Sequence, residues 1–176
     1  EIIVDNSGNA YIASFSSSLN FPVTTGSFQP NNAGGQDGVV CKLNPTLSTL
    51  EWATYLGSSG TDAAYGLRVD NTNNVYVTGA AGSGFPTTVG SAIPNYIGGS
   101  QDGFISKLSP QGTSLLASSF FGSIGKDESF FVDIDLLDDL YVYGQNANSI
   151  SITPGCYGVA NSTQFIAKFN PDLTNI

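Results

Sequence analysis

The chain has 176 residues, enough for one domain with a sizeable core, and 40% of them are hydrophobic, which excludes a wholly disordered polypeptide. Fourteen acids against five bases leave a net charge of −9, and Lys42, Arg68, Lys107, Lys126 and Lys168 form no cluster, so nucleic acid and anionic membrane are excluded as expected partners. No window approaches the roughly 20 apolar residues of a membrane span, no signal-peptide pattern is visible, and the lack of any Met predicts a chain that begins downstream of a native start.

The first element is a hairpin pattern, "VDNSGNAYIAS" from Val4 to Ser14, two β-like runs around a Gly- and Asn-containing turn. A long segment rich in Gly, Pro, Ser and Thr follows, carrying "FPVTTG" from Phe21. Two further runs come next, one within "QDGVVCKLNP" (Gln36–Pro45) and one ending in "TYLGSSGTD" (Thr54–Asp62). Then the order recurs as "VDNTNNVYVTG" (Val69–Gly79), "FPTTVG" at Phe85, "QDGFISKLSP" (Gln101–Pro110) and "SFFGSIGKD" (Ser119–Asp127). A worn third copy gives "IDLLDDLYVYG" (Ile134–Gly144), a faint "ISITPG" at Ile150 and "TQFIAKFNP" (Thr163–Pro171). Asp5, Asp70 and Asp135 are 65 residues apart, as are Tyr11, Tyr76 and Tyr141, while Lys107 and Lys168 are 61 apart because the third long segment is four residues shorter.

A fixed period of this kind marks a repeat architecture. The complete middle copy predicts four strands, at residues 66–70, 75–80, 102–109 and 115–122, with a Pro–Gly turn between the last two and no helical period anywhere. In 102–109 apolar residues fall on both faces, broken by Lys107, whose ammonium can reach water past its own stem. A four-stranded antiparallel sheet covered on both faces is what a β-propeller blade requires, whereas a sandwich gives cleaner alternation. The predicted fold is therefore all-β, with blade repeats over 1–62, 63–127 and an incomplete 128–176, all within one propeller domain. Eleven strands fall short of the four to eight blades of closed propellers. A partial ring is expected, its remaining blades supplied by the same longer chain, with self-assembly of several chains as the alternative.

Together "VDNTNNVYVTG", "FPTTVGSAIP", "GGSQDGFISKLSPQG" and the "YLGSSGTD" ending resemble the bacterial β-propeller repeat called the SBBP repeat, over nearly the whole chain. The third copy departs from it, with "LLDD" for the Asn-rich turn and "NSTQ" for "GSQD". Its wording, "TPGCYG…QFIAKFNPDLT", is similar to proteins of gliding Bacteroidota exported by the type IX pathway. The resemblance implies a secreted or cell-surface protein, often neighbouring adhesion modules, and a non-catalytic module binding protein or glycan through its loops. A structural spacer is the alternative and a polysaccharide-directed enzyme a more distant one. The resemblance carries no catalytic residue and no cofactor.

Among single residues, Asp5, Asp70 and Asp135 are expected to cap backbone amides of tight turns, and the recurring Asp37/Asp102 and Asp62/Asp127 to be structural, since an active site occurs once per ring. "DIDLLDD" gathers four carboxylates but lacks the spacing and central Gly of a calcium loop, so a solvated acidic turn near Asp133–Asp139 is expected and no metal site. Glu51, Glu128 and Asp133 are the acids that a glycosidase would pair, but nothing in the sequence pairs them, and without any His no Ser-His-Asp triad exists here. Cys41 is expected to be a small buried thiol, unpaired with Cys156 two repeats away. "NST" at Asn161 matches a glycosylation acceptor but carries little weight in a bacterial repeat, and the glycines of "IGGSQDG" precede no helix that would make them a phosphate loop. Phe21, Phe28, Phe85, Tyr96 and Tyr157 lie in the long segments, where folding back onto the blade is the simpler role. Of these Phe21, Phe85, Tyr96 and Tyr157 are the candidate partner contacts, because aromatic rings bury much area at low entropic cost.

Overall fold

The computed structural model describes residues 1–176 and contains eleven strands and no helix. They are β1 (Ile2–Val4), β2 (Ala10–Ser16), β3 (Asp37–Leu43), β4 (Leu50–Leu56), β5 (Ala63–Val69), β6 (Val75–Ala81), β7 (Asp102–Leu108), β8 (Leu115–Phe121), β9 (Asp127–Ile134), β10 (Leu140–Asn146) and β11 (Gln164–Phe169). Three antiparallel sheets result, ordered β1-β2-β3-β4, β5-β6-β7-β8 and β9-β10-β11, and these are propeller blades. No helix is long and apolar enough to cross a membrane.

Each blade begins with the same turn. The Oδ1 of Asp5 accepts the amides of Ser7 and Asn9, that of Asp70 those of Thr72 and Asn74, and that of Asp135 those of Leu137 and Asp139. The bend places Gly8, Asn73 and Asp138 at left-handed φ, where Gly, Asn and Asp are the residues best tolerated. In the first two turns an Asn side chain also donates to the carboxylate, at 2.8 Å from Asn9 and from Asn74. The third has Asp139 there, a like charge, and Lys168 answers it at 2.7 Å while reaching Asp135 at 3.7 Å. That ion pair is exposed, so its main effect is to relieve repulsion inside the turn.

The second strand of each blade carries Tyr and the third a Lys directly opposite: Tyr11–Lys42, Tyr76–Lys107 and Tyr141–Lys168. Each ammonium lies 5.1–5.4 Å from the ring centroid, so the ring shields the lysine stem while the charge stays near water. One apolar cluster joins Tyr11, Val40, Trp52 and Leu56 of the first blade to Leu67, Val75, Val77, Phe104 and Phe120 of the second. Another joins Tyr76, Ile105 and Phe121 to Val132, Leu140, Val142, Phe165 and Phe169 of the third. The core is therefore a pair of seams between sheets.

Buried carboxylates pin those seams. Asp62 accepts the amide and hydroxyl of Ser58 at the end of the first blade and the amide of Gly82 in the second. Asp127 does the same with Ser123 and Ala147 across the next seam. Asp37 and Asp102, fully buried at the start of the third strands, each have one oxygen bonded by loop amides and one without a partner. Burial pushes the Asp102 carboxyl up to about 6, further raised by Asp127.

The long segments of blades 1 and 2 run along the outer strand, closing its open edge. Thr24 and Gln29 bond the backbone of Ala53 and Tyr55, and Thr88 and Ile93 bond that of Ser118 and Phe120. The third sheet has only three strands, so residues 151–164 find no such edge and are exposed.

The second blade's first strand starts at Ala63, three residues earlier than the sequence pattern predicts, because a bulge at Tyr65 carries pairing past Gly66. The bulge presses the Ala63 carbonyl toward Gly79, where an added Cβ would lie 1.9 Å from that oxygen. Gly144 meets the Glu128 carbonyl in the same way, whereas the third position of this series is the exposed Ser14, opposite the short β1. Gly79→Ala is expected to destabilise the chain by about 1–3 kcal/mol in a denaturant titration, with Ser14→Ala near neutral.

The raised Asp102 pKa has a definite sign. The neutral carboxyl suits the buried site, so its contribution to stability is full below the ordinary carboxylate range and is lost as pH rises through about 6. Wild-type protein should lose stability relative to Asp102→Asn between about pH 4 and 6 and level off above that range, and melting both proteins from about pH 4 to 7 measures the difference.

Candidate binding cleft at the first blade seam

The turns that end two neighbouring blades bound a polar cleft of about 450 Å³ between blades 1 and 2. Blade 1 supplies Asp5, Ser7 and Asn9 from its first turn, Lys42 from β3, and Glu51 and Trp52 from β4; blade 2 supplies Asn73, Pro110 and Gln111. Trp52, the only Trp in the chain, forms the floor. Its ring meets Tyr11 edge-on at 6.4 Å, and Gly112 lies so flat against it that a Cβ there would come within 2.4 Å of the indole. The indole Nε1 is buried without a hydrogen-bond partner.

Glu51 owes its position to a bulge. Lys42 pairs with Trp52 and Leu43 with Leu50, leaving Glu51 as the extra residue, turned away from the sheet. Its carboxylate meets the Lys42 ammonium at 2.8 Å. Burial alone would lower the Lys42 pKa, but the hydrogen bond its ammonium donates to Glu51 and the neighbouring Tyr11 hydroxyl outweigh it and raise it. Burial would likewise raise the Asp5 carboxyl, but bonds from Asn9, Ser7 and Tyr11 hold it below the usual carboxylate range. Asp5 is thus saturated by its own turn. The groups left to a ligand are one oxygen of Glu51, the side chains of Gln111 and Asn73, and the remaining donors of Lys42, a set of mixed donors and acceptors suited to hydroxyl- or amide-rich molecules.

None of the four candidate contacts lies in this cleft. Phe85 is corrected outright: it is 4% exposed, 4.3 Å from the Phe104 ring and 6.1 Å from Phe120, a core residue that anchors the long segment. Phe21 is half-buried against Tyr55 at 5.6 Å, and Tyr96 packs on Phe120 at 5.7 Å while its hydroxyl donates to Gly99. Phe28 is half-buried beside the first cluster. Tyr157 alone is open to solvent, at 95%. Each of the three acids a glycosidase would pair meets a cation: Glu51 meets Lys42, Glu128 meets Lys126 at 3.0 Å, and Asp133 meets Arg68 at 3.3 Å, a guanidinium it shares with Glu1 at 2.8 Å. Asp133, Asp135 and Asp139 are likewise divided between Arg68, the turn amides and Lys168. Cys41 is buried and Cys156 exposed, and both are free thiols.

Sequence reasoning passed over Trp52 and Gln111. Their signal is a break in the repeat, since Glu51–Trp52 occupy the positions of Leu116–Ala117. Among protein families, the model of the SBBP β-propeller repeat matches residues 51–86, from β4 across the seam to the start of the second long segment. Comparison with curated proteins gives no match.

Trp52 reports directly on the cleft. Its native emission should be that of a buried indole, weakly quenched by acrylamide, and Gln111→Ala should leave it unchanged because Gln111 lies at the rim. Strong quenching of the folded wild type would contradict the packing described.

Proposed function

We propose that this chain is a non-catalytic interaction module of a bacterial secreted or cell-surface protein, binding its partner through the turns and loops of the propeller. A β-propeller repeat suits a protein-interaction or structural module, and the SBBP match supports that level of description. The observation that carries the binding reading is the polar cleft, because Glu51 and Gln111, which line it, break the repeat. At the second seam the corresponding strand positions are Leu116 and Ala117, while Leu173 is buried in the seam's apolar cluster. A spacer would need no carboxylate at position 51. The cleft's amides, carboxylate and ammonium favour a glycan or a polar loop of a protein over an apolar ligand. Location outside the cell is supported by the acidic, Ser/Thr/Asn/Gly-rich composition and by the similarity of the third repeat to exported proteins of gliding Bacteroidota.

The test is retention of the purified chain on glycan and surface-protein arrays. Wild type should bind, and Glu51→Ala combined with Gln111→Ala, both at exposed positions, should weaken binding at least about tenfold without lowering the melting temperature. A chain that binds neither array, or a double variant that binds as well as wild type, would rule out recognition at this cleft.

A further inference from the structure

The two seams differ at one polar bridge. At the second, the hydroxyl of Tyr76 and the ammonium of Lys107 on blade 2 both donate to the carbonyl of Pro171 on blade 3, at 3.3 and 3.4 Å. Both lone pairs of that oxygen are then taken. Pro110 holds the same place on blade 2, three residues after Lys107 as Pro171 is after Lys168. Pro110 lines the cleft, yet its carbonyl accepts no hydrogen bond from the first blade. Lys42 is turned onto Glu51 at 2.8 Å, and the Tyr11 hydroxyl donates to Asp5 at 3.3 Å. Leu116 stands at the Glu51 position in blade 2, and Lys107, with no carboxylate to hold it, reaches the carbonyl instead. Glu51 therefore keeps open a bridge that the second seam closes.

Two acceptors and a donor are left over in one cleft: the Pro110 carbonyl, one oxygen of Glu51 and the remaining protons of Lys42. A partner must supply two donors and an acceptor on neighbouring atoms. A pair of hydroxyls on adjacent carbons does so, because each hydroxyl gives one proton and accepts through its oxygen. Sugars carry such pairs on a rigid ring, whereas Ser, Thr and Tyr offer one hydroxyl per side chain. Charge narrows the class further. An acidic sugar would meet the Glu51 carboxylate on a chain of charge −9, and an amino sugar would set its ammonium against Lys42. The cleft of about 450 Å³ lies within the roughly 300–1,000 Å³ range of small-molecule sites.

We propose that the cleft recognises the vicinal hydroxyls of an uncharged sugar, one donating to Glu51, its neighbour to the Pro110 carbonyl, with Lys42 donating to a hydroxyl oxygen of the pair. The proposal rests on the reading of this cleft as the binding site and names the group it reads.

The probes are neutral oligosaccharides, each intact and after periodate has cleaved its vicinal diols, titrated calorimetrically into the wild-type chain beside a surface-protein array. At least one intact oligosaccharide should bind, and its cleaved form should bind at least about tenfold more weakly. Glu51→Leu, which gives the first blade the residue of the second, should weaken sugar binding by at least about tenfold without lowering the melting temperature. Sugar binding that survives periodate cleavage or Glu51→Leu overturns the proposal. Retention of proteins alone also overturns it, and where Glu51→Leu abolishes that retention the cleft still stands as a binding site. A wild-type chain that retains neither sugar nor protein removes both.

Discussion

Every sheet in this protein carries apolar residues on both faces, and in this helix-free chain it is another sheet that covers them. That constraint explains why the chain repeats. A single four-stranded blade would leave one face or both in solvent, so the gain comes from seams, and each new blade creates one. Val77 and Phe104 contribute to the first seam from blade 2, while Tyr76 and Ile105, their neighbours along the same strands, contribute to the second. The period-two alternation of a strand thus serves two interfaces at once. Small polar residues inside the seams can satisfy one another, as with the Ser106–Ser118 hydroxyl pair at 2.8 Å.

The local devices follow from the need to hold blades at one spacing. Asp62 and Asp127 each bind groups on two successive blades, so the linker is fixed by a charge-assisted bond at every seam. Volume is balanced across seams as well. In the first, the large Trp52 lies against Gly112; in the second, the equivalent positions are Ala117 and Leu173, both buried in one cluster. Leu173 takes this role with a φ of 56°, a left-handed conformation that a non-glycine residue adopts at a cost of about 1–2 kcal/mol. Leu47 adopts the same conformation while largely exposed, without that compensation.

Much of this was legible in the sequence because it is local or periodic. The turn carboxylates, the Tyr and Lys series and the strand order all depend on spacing, and Cys41 sits in a series of small residues with Ser106 and Ala167. What escaped was set by contacts between distant segments. Phe85 looks like an exposed loop aromatic until the insert is seen to run along β8, which turns its ring onto Phe104 and Phe120. Gly79 lies inside the strand expected over 75–80, where nothing local calls for a glycine, yet it is required by the approach of the Ala63 carbonyl from a bulged strand. Bulges leave no pattern in a single sequence, so both the longer β5 and the outward turn of Glu51 were hidden.

The departures from the repeat have different origins. Trp52 departs from Ala117 in step with Gly112 departing from Leu173, an exchange of volume that packing alone accounts for. Glu51 has no such counterpart. Its bulged position is exposed in both complete blades, and Leu116 occupies it in the second without any partner on the next blade's turn. Nothing in the seam therefore asks for a carboxylate at 51, yet that carboxylate draws Lys42 to the rim of the cleft and leaves one oxygen free beside Gln111. A residue that the fold leaves unconstrained, set where its polar group faces the cleft between two turns, is where selection on a ligand would act without disturbing the blades.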